Sequence, residues 1–258
     1  VASALLLMIA SNAHGAEARA QIAIARQRIE ATDSRATGRL VQVDASGNRI
    51  SNAVTIKAHW FPGVLRVLVE IVPTRTPAQN APLDARASIL LEMRPNGENT
   101  IRIFHPHTAP ATLPFNKWGE SVFGSYFNYE DFLQAEYFWQ GQTILKTALL
   151  GTHSCDVLKS TPGPSDRSHY AEVQTWLDQT TGYPLYVEKT LKEGGTVKDF
   201  TSLGLTQSGG IWAARQVEVK IHDRPGSTLL IIERGSTKAN LTAKNFSPEE
   251  IGKFEDHP

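Results

Sequence analysis

Val64-Leu65-Arg66-Val67-Leu68-Val69-Glu70-Ile71-Val72 follows directly on Pro62-Gly63. Leu65, Val67, Val69 and Ile71 form a face without a polar residue, while Val64, Leu68 and Val72 share the other face with Arg66 and Glu70. Apolar repetition at every second residue is the pattern of a β-strand, and a half-apolar reverse face predicts a sheet covered on one side and partly wet on the other. The alternation extends upstream. Val54, Ile56, Ala58 and Trp60 alternate with Thr55, Lys57 and His59, and Leu40, Val41 and Val43 begin a further strand after Gly38. Downstream, Ala87 to Met93 and Thr100 to Phe104 read as strands joined by a hairpin at Pro95-Asn96-Gly97-Glu98. Pro73 to Leu83 and Pro106 to Pro114 are broken by proline and read as loops.

The second half is strand and turn throughout. Candidate strands are Thr143–Leu150, Ser154–Ser160, His169–Leu177, Leu185–Leu191, Val197–Leu205, Ile211–Ile221, Ser227–Glu233 and Ala239–Ala243, separated by clusters of Gly and Pro. A strand about every ten residues with tight turns predicts an antiparallel meander, closed or half-closed. Helices are few. Glu17 to Ser34 lacks Gly and Pro and is rich in Ala, Gln and Arg, predicting a helix of moderate amphipathicity. Asn128-Tyr129-Glu130-Asp131 offers an N-cap with acids in the first turn, predicting a short helix from Tyr129 to Ala135. Ser247-Pro248-Glu249-Glu250 is a capping box that opens a helix to Phe254.

Composition narrows the function classes. Across 258 residues, 26 Lys and Arg balance 26 Asp and Glu, without the basic excess of a dedicated nucleic-acid binder. A hydrophobic content of 41% excludes intrinsic disorder. The single cysteine, Cys155, excludes an internal disulfide framework and a cysteine-rich zinc site. Ala4 to Ala10 is an apolar run too short to span a bilayer, followed by small and polar residues. Residues 1–18 therefore read as a secretory signal, cleaved after Gly15 or Ala18, and residues 19–258 as a single domain.

Motifs of catalysis are sparse. There is no Gly-rich phosphate loop, H-E-x-x-H or G-x-S-x-G. His105-Pro106-His107 could present two imidazoles on one side, yet a zinc site needs a third protein ligand and none lies nearby. His153-Ser154-Cys155-Asp156 holds base, nucleophile and acid types in a row, but neighbours on a strand point to opposite faces. A buried, inert thiol is the simpler reading of Cys155. Glu130 and Asp131 could divide acid and base roles, or simply complement a helix dipole. Catalytic residues, a metal and a cofactor are accordingly not expected. Trp118, Phe123, Tyr126, Phe127, Tyr129, Phe132, Tyr137, Phe138 and Trp139 crowd one segment, as plain core or as a lid over an apolar cavity.

Gly124-Ser125-Tyr126-Phe127-Asn128-Tyr129-Glu130-Asp131-Phe132 resembles the G-[ST]-x-F-[ST]-Y-E-D-[LF] motif of periplasmic outer-membrane lipoprotein-sorting (LolA-like) proteins, relatives of LolB and of the RseB N-terminal domain. Later landmarks follow in the family's order: Leu150-Gly151-Thr152, Cys155 with Val157 and Leu158, Tyr170 to Trp176-Leu177-Asp178, Pro184-Leu185, and Gly195-Thr196-Val197-Lys198. The resemblance implies a mainly β fold: a single curved antiparallel sheet forming an unclosed β-barrel, or half-barrel, with short helices as a lid over an apolar cavity. It implies a monomeric periplasmic carrier whose ligands are acyl chains of lipoproteins or lipids. Inner- and outer-membrane transport proteins would be its partners, with no role for nucleic acid. A lipid-sensing regulatory module of the RseB kind is the alternative. Trp60, Leu65, Val67, Val69, Ile89, Leu91 and Met93 are expected to line the cavity, with Phe127, Tyr129 and Phe132 covering it. The same side chains could instead fill a solid core. Each methylene moved out of water contributes about 0.8 kcal/mol, so a pocket around two or three chains needs no charged contact to bind.

Overall fold

Alternating side chains commit most of the chain to strands, and the computed structural model, which describes residues 20–73, 86–95 and 98–253, shows how they join. The strands are β1 (Asp33–Val43), β2 (Arg49–Phe61), β3 (Val64–Pro73), β4 (Ala87–Met93), β5 (Thr100–Phe104), β6 (Ala111–Thr112), β7 (Gly141–Leu150), β8 (His153–Thr161), β9 (Tyr170–Asp178), β10 (Pro184–Leu191), β11 (Val197–Ser208), β12 (Ile211–Ile221) and β13 (Ser227–Ser236). They form one antiparallel sheet in the order β6-β5-β4-β3-β2-β1-β13-β12-β11-β10-β9-β8-β7. Two meanders meet at a β1–β13 seam, and the sheet is not closed into a barrel because β6 and β7 are its two free edges.

Curvature follows from what the sheet encloses. Leu65 on β3 and Val187 on β10 line the same small cavity. In a flat sheet those strands would stand six spacings apart, about 29 Å. The accumulated twist has therefore curled the sheet around one principal core. Leu40, Val67, Val69, Leu91, Leu158, Phe200 and Val219 belong to that core.

Helix α1, over residues 20–30, precedes β1. Ile22, Ala25 and Ile29 recur at helical spacing and are buried in the principal core, while Ile24 stays exposed. The helix stops short of the predicted Ser34, since Asp33 and Ser34 already pair with β2. The expected leader and the 74–85 part of the first proline loop lie outside the described residues, as do Asn96-Gly97 and Phe254.

One strand expectation needs correction. Ala239–Ala243 is no strand: the Asp33 carboxylate accepts the backbone N–H groups of Asn240 (2.9 Å) and Leu241 (3.0 Å), which a ladder would have used. A 3-10 helix, Ala243–Phe246, and then α2 (Pro248–Ile251) follow. The reverse face of β3 is partly wet as its pattern predicts, with Val64, Arg66, Glu70 and Val72 half-buried, and only Leu68 is sealed. Leu241, Phe246 and Ile251 pack on Leu68, Leu90 and Phe104, so the C-terminal segment seals this part of the convex side. That second cover explains why every residue of β4 is buried.

Candidate functional site

β6 and β7 are consecutive in the chain but lie at opposite edges of the sheet, so residues 113–140 have to cross its open face. Gly, Ser and Asn punctuate this segment too often for a long helix. It folds as four 3-10 turns, Phe115–Lys117, Val122–Gly124, Tyr129–Phe132 and Ala135–Phe138. The single helix predicted from Tyr129 to Ala135 is split because Gln134 adopts φ 49° between the last two turns. Polar ties hold the crossing at both flanks. Gln42 Nε2 donates to the Phe123 carbonyl (2.6 Å), and the Tyr126 N–H donates to Thr228 Oγ1 (2.9 Å). From α1, Arg26 Nε donates to the Tyr137 carbonyl at 2.7 Å.

Beneath the crossing sits a buried ionic network. Asn128 and Asp131 cap each other reciprocally, the Asn128 N–H reaching Asp131 Oδ2 at 2.9 Å and the Asp131 N–H reaching Asn128 Oδ1 at 3.0 Å. The same carboxylate receives Lys198 Nζ at 2.6 Å and the Tyr170 hydroxyl at 2.6 Å. Lys198 also donates to the Tyr170 oxygen (3.2 Å), and Lys189 Nζ stands 3.2 Å from Glu136 and 3.6 Å from Asp131. Two ammonium and two carboxylate groups thus balance inside the fold. Burial alone would raise the Asp131 carboxyl, but Lys198 and Lys189 hold it below its ordinary value. Burial would lower the Lys189 ammonium, and Glu136 and Asp131 raise it instead. Burial, aided by Asp131, pushes the Tyr170 hydroxyl well up. Next door, Glu130 accepts from the Ser168 hydroxyl and from the His169 N–H (3.1 Å).

Glu130 and Asp131 stand in the first turn behind their N-cap as expected, and in addition both are buried and bolt the crossing onto β9, β10 and β11. Asp131, Tyr170 and Lys198, each part of a motif singled out in the sequence, meet in space although 67 positions separate Asp131 from Lys198. Spacing along the chain carries no trace of Lys189 as a partner. Its signal is a lysine at an alternate position of β10 that shares the buried face with Leu185 and Val187.

Between the crossing, α1 and the curled sheet lies a cavity of about 340 Å³. Leu65, Val67, Phe127 and Phe132 line it, together with Ile29, Ile56, Val187, Phe200, Val217 and Leu230. Val69, Ile89, Leu91 and Met93 share the cavity's face of the sheet but are packed into the core. Trp60 and Tyr129 are half-buried against that core, Trp60 stacking on Phe138 at 5.8 Å. The space sits at the small end of the roughly 300–1,000 Å³ usual for ligand pockets, room for one chain rather than two or three. Its lining also includes polar and charged groups, among them Arg28, Thr32, Asp33, Gln134, Glu136 and Lys189.

Away from the cavity, His105 is exposed, its Nδ1 3.3 Å from the Arg86 carbonyl, and His107 sits in a left-handed turn at φ 61°. Among the described residues no three His, Cys, Asp or Glu side chains group as a metal site, and no helix is long and apolar enough to cross a membrane. Cys155 is buried in β8, and burial raises its thiol pKa.

A family profile described as "Uncharacterized protein" matches residues 79–253. No curated protein matches the sequence. Among solved structures, one described as an outer membrane lipoprotein-sorting protein domain from Vibrio parahaemolyticus is similar with a TM-score of 0.77 at 20% identity, covering 91% of this chain and 99% of the other. A DUF1329 family protein from Desulfovibrio piger gives 0.77 at 13% identity, covering 91% and 98%. A LolA superfamily protein from Nitrosomonas europaea gives 0.65 at 14%, covering 90% and 98%. The chain belongs to the family of the matching profile, and its half-barrel fold is shared with the lipoprotein-sorting domain and LolA superfamily structures.

Proposed function

We propose that this protein is a periplasmic carrier that shelters an acyl chain of a lipid or lipoprotein from water and shuttles it toward the outer membrane. The observation that carries this reading is the apolar cavity enclosed by Leu65, Val67, Phe127 and Phe132 under the crossing segment. Binding there is hydrophobic in origin and gains about 0.8 kcal/mol for each methylene removed from water. The role is binding rather than catalysis. Trp60, Val69, Ile89, Leu91, Met93 and Tyr129 shape the walls from behind. Residues 1–18 serve as the export signal for the domain of residues 19–258, which acts as a monomer. Transport proteins of the two membranes load and unload it. The similar structures from V. parahaemolyticus and N. europaea, described by lipoprotein sorting and by the LolA superfamily, support this assignment.

Gentle purification followed by mass spectrometry of the extracted lipid tests the reading. Acyl-chain amphiphiles approaching one per protein are expected. Recovery of none, even after incubation with membranes, would overturn it. Transfer of labelled chains from the loaded protein to acceptor vesicles distinguishes a carrier from a lipid-sensing module, which would retain its ligand.

A further inference from the structure

We propose that the cavity takes a single-chain amphiphile with an anionic head, carboxylate or phosphate, and that the Arg28 guanidinium meets that head. This rests on the acyl-chain reading and adds the chemistry of the polar end. Arg28 lines the cavity from α1. Its Nη2 donates to the neutral Gln134 Oε1 at 3.0 Å, and its guanidinium lies 5.9 Å from the Tyr137 ring and 5.5 Å from that of Tyr183. Its Nε is buried without an acceptor. Native proteins rarely leave a buried donor unmet, and a guanidinium is shaped for two-pronged contact with a carboxylate or phosphate.

The other charges on the cavity wall are engaged. Asp33 accepts the Asn240 and Leu241 N–H groups and stands 3.1 Å from His59 Nδ1. Asp131, Glu136 and Lys189 belong to the balanced network completed by Lys198. Arg28 alone, among the described charged residues lining the cavity, makes no ion pair. An anionic head would give the guanidinium the ion pair it lacks, while its tail enters the apolar part beside Leu65, Val67 and Phe132. A volume of about 340 Å³ favours one tail.

Calorimetric titration with dodecanoate, dodecyl phosphate, 1-dodecanol and dodecyltrimethylammonium, each below its micellar threshold, tests the assignment. The wild-type protein is expected to bind at least one of the two anions more tightly than the cation of equal chain length. Arg28→Gln should weaken the preferred anion roughly ten- to a hundredfold relative to 1-dodecanol, the worth of a charge-assisted hydrogen bond. Preference for dodecanoate points to fatty acids, preference for dodecyl phosphate to phosphate-headed lipids, and equal binding to charge alone; each supports the proposal. Anions bound by Arg28→Gln as tightly as by wild type would overturn it. So would a wild-type protein that binds the cation as well as the anions, an outcome that needs no variant to fold. Binding of 1-dodecanol without anion preference removes only the head-group assignment, whereas failure of all four compounds removes the acyl-chain reading with it.

Discussion

Removing the Asp131 carboxylate would leave the Lys198 ammonium buried without its ion-pair partner and Lys189 with Glu136 alone. Breaking one side of a buried pair costs about 3–5 kcal/mol, so Asp131→Asn should lower the urea midpoint at neutral pH by that equivalent. Exchanging Lys198 for Met as well should recover part of the loss, because the uncompensated charge is then gone. The pH dependence has a definite sign. Asp131 is held below its ordinary value of 3.8, so the unfolded chain takes up this proton at higher pH than the folded one. Its contribution is complete above that value and fades as pH falls through the lowered one. The stability gap between wild type and Asp131→Asn should accordingly narrow in acid. Cys155, buried and with a raised thiol pKa, should react with a disulfide reagent only after denaturant unfolds β8; rapid labelling of the native protein would contradict its placement.

The β1–β13 seam joins the two meanders, and its register shifts between Thr37 and Gly38. A Cβ at Gly38 would lie 1.9 Å from the Ile231 carbonyl oxygen and 2.9 Å from its carbon. Both are backbone atoms, so neither can turn aside. Gly38→Ala should destabilise the fold by about 1–3 kcal/mol, read as a lower thermal midpoint. Gly235, on the partner strand, has its nearest neighbour for a Cβ at 3.7 Å. Gly235→Ala should change stability by no more than about 0.5 kcal/mol and serves as the control. The crossing segment follows a different logic. Its turns are short, and much of its hold comes from side chains such as Trp118, Phe127 and Tyr137 in the principal core. Helical propensity therefore signals where it turns, but misses the break at Gln134.

The cavity lies where the curled sheet, α1 and the crossing meet, and each holds the others: Arg26 of α1 and Gln42 and Thr228 of the sheet tie the crossing in place. Filling it tests that arrangement. Val67 faces the space from β3, and Val67→Trp should occupy it, weakening 1-dodecanol at least roughly tenfold. Far-UV circular dichroism should remain that of wild type; undiminished binding would place the ligand elsewhere. The convex side depends on the C-terminal segment in the same cooperative way, since Leu241, Phe246 and Ile251 keep Leu68, Leu90 and Phe104 dry.

Strand identity was written locally. Side-chain alternation in Val64 to Val72 and its counterparts announces β3 and the later strands, and Ser247-Pro248 marks the start of α2, because pleat period and end-capping depend on near neighbours. The inward choice of Leu65 and Val67 was readable for the same reason. The meeting of Asp131 with Lys198 and Lys189, the aim of Arg28 into the cavity and the cover over Leu68 were not, because each joins residues far apart in the chain. Local periodicity says which side chains share a face; only the curvature of the assembled sheet brings distant faces together and decides whether they pack solid or leave a hollow.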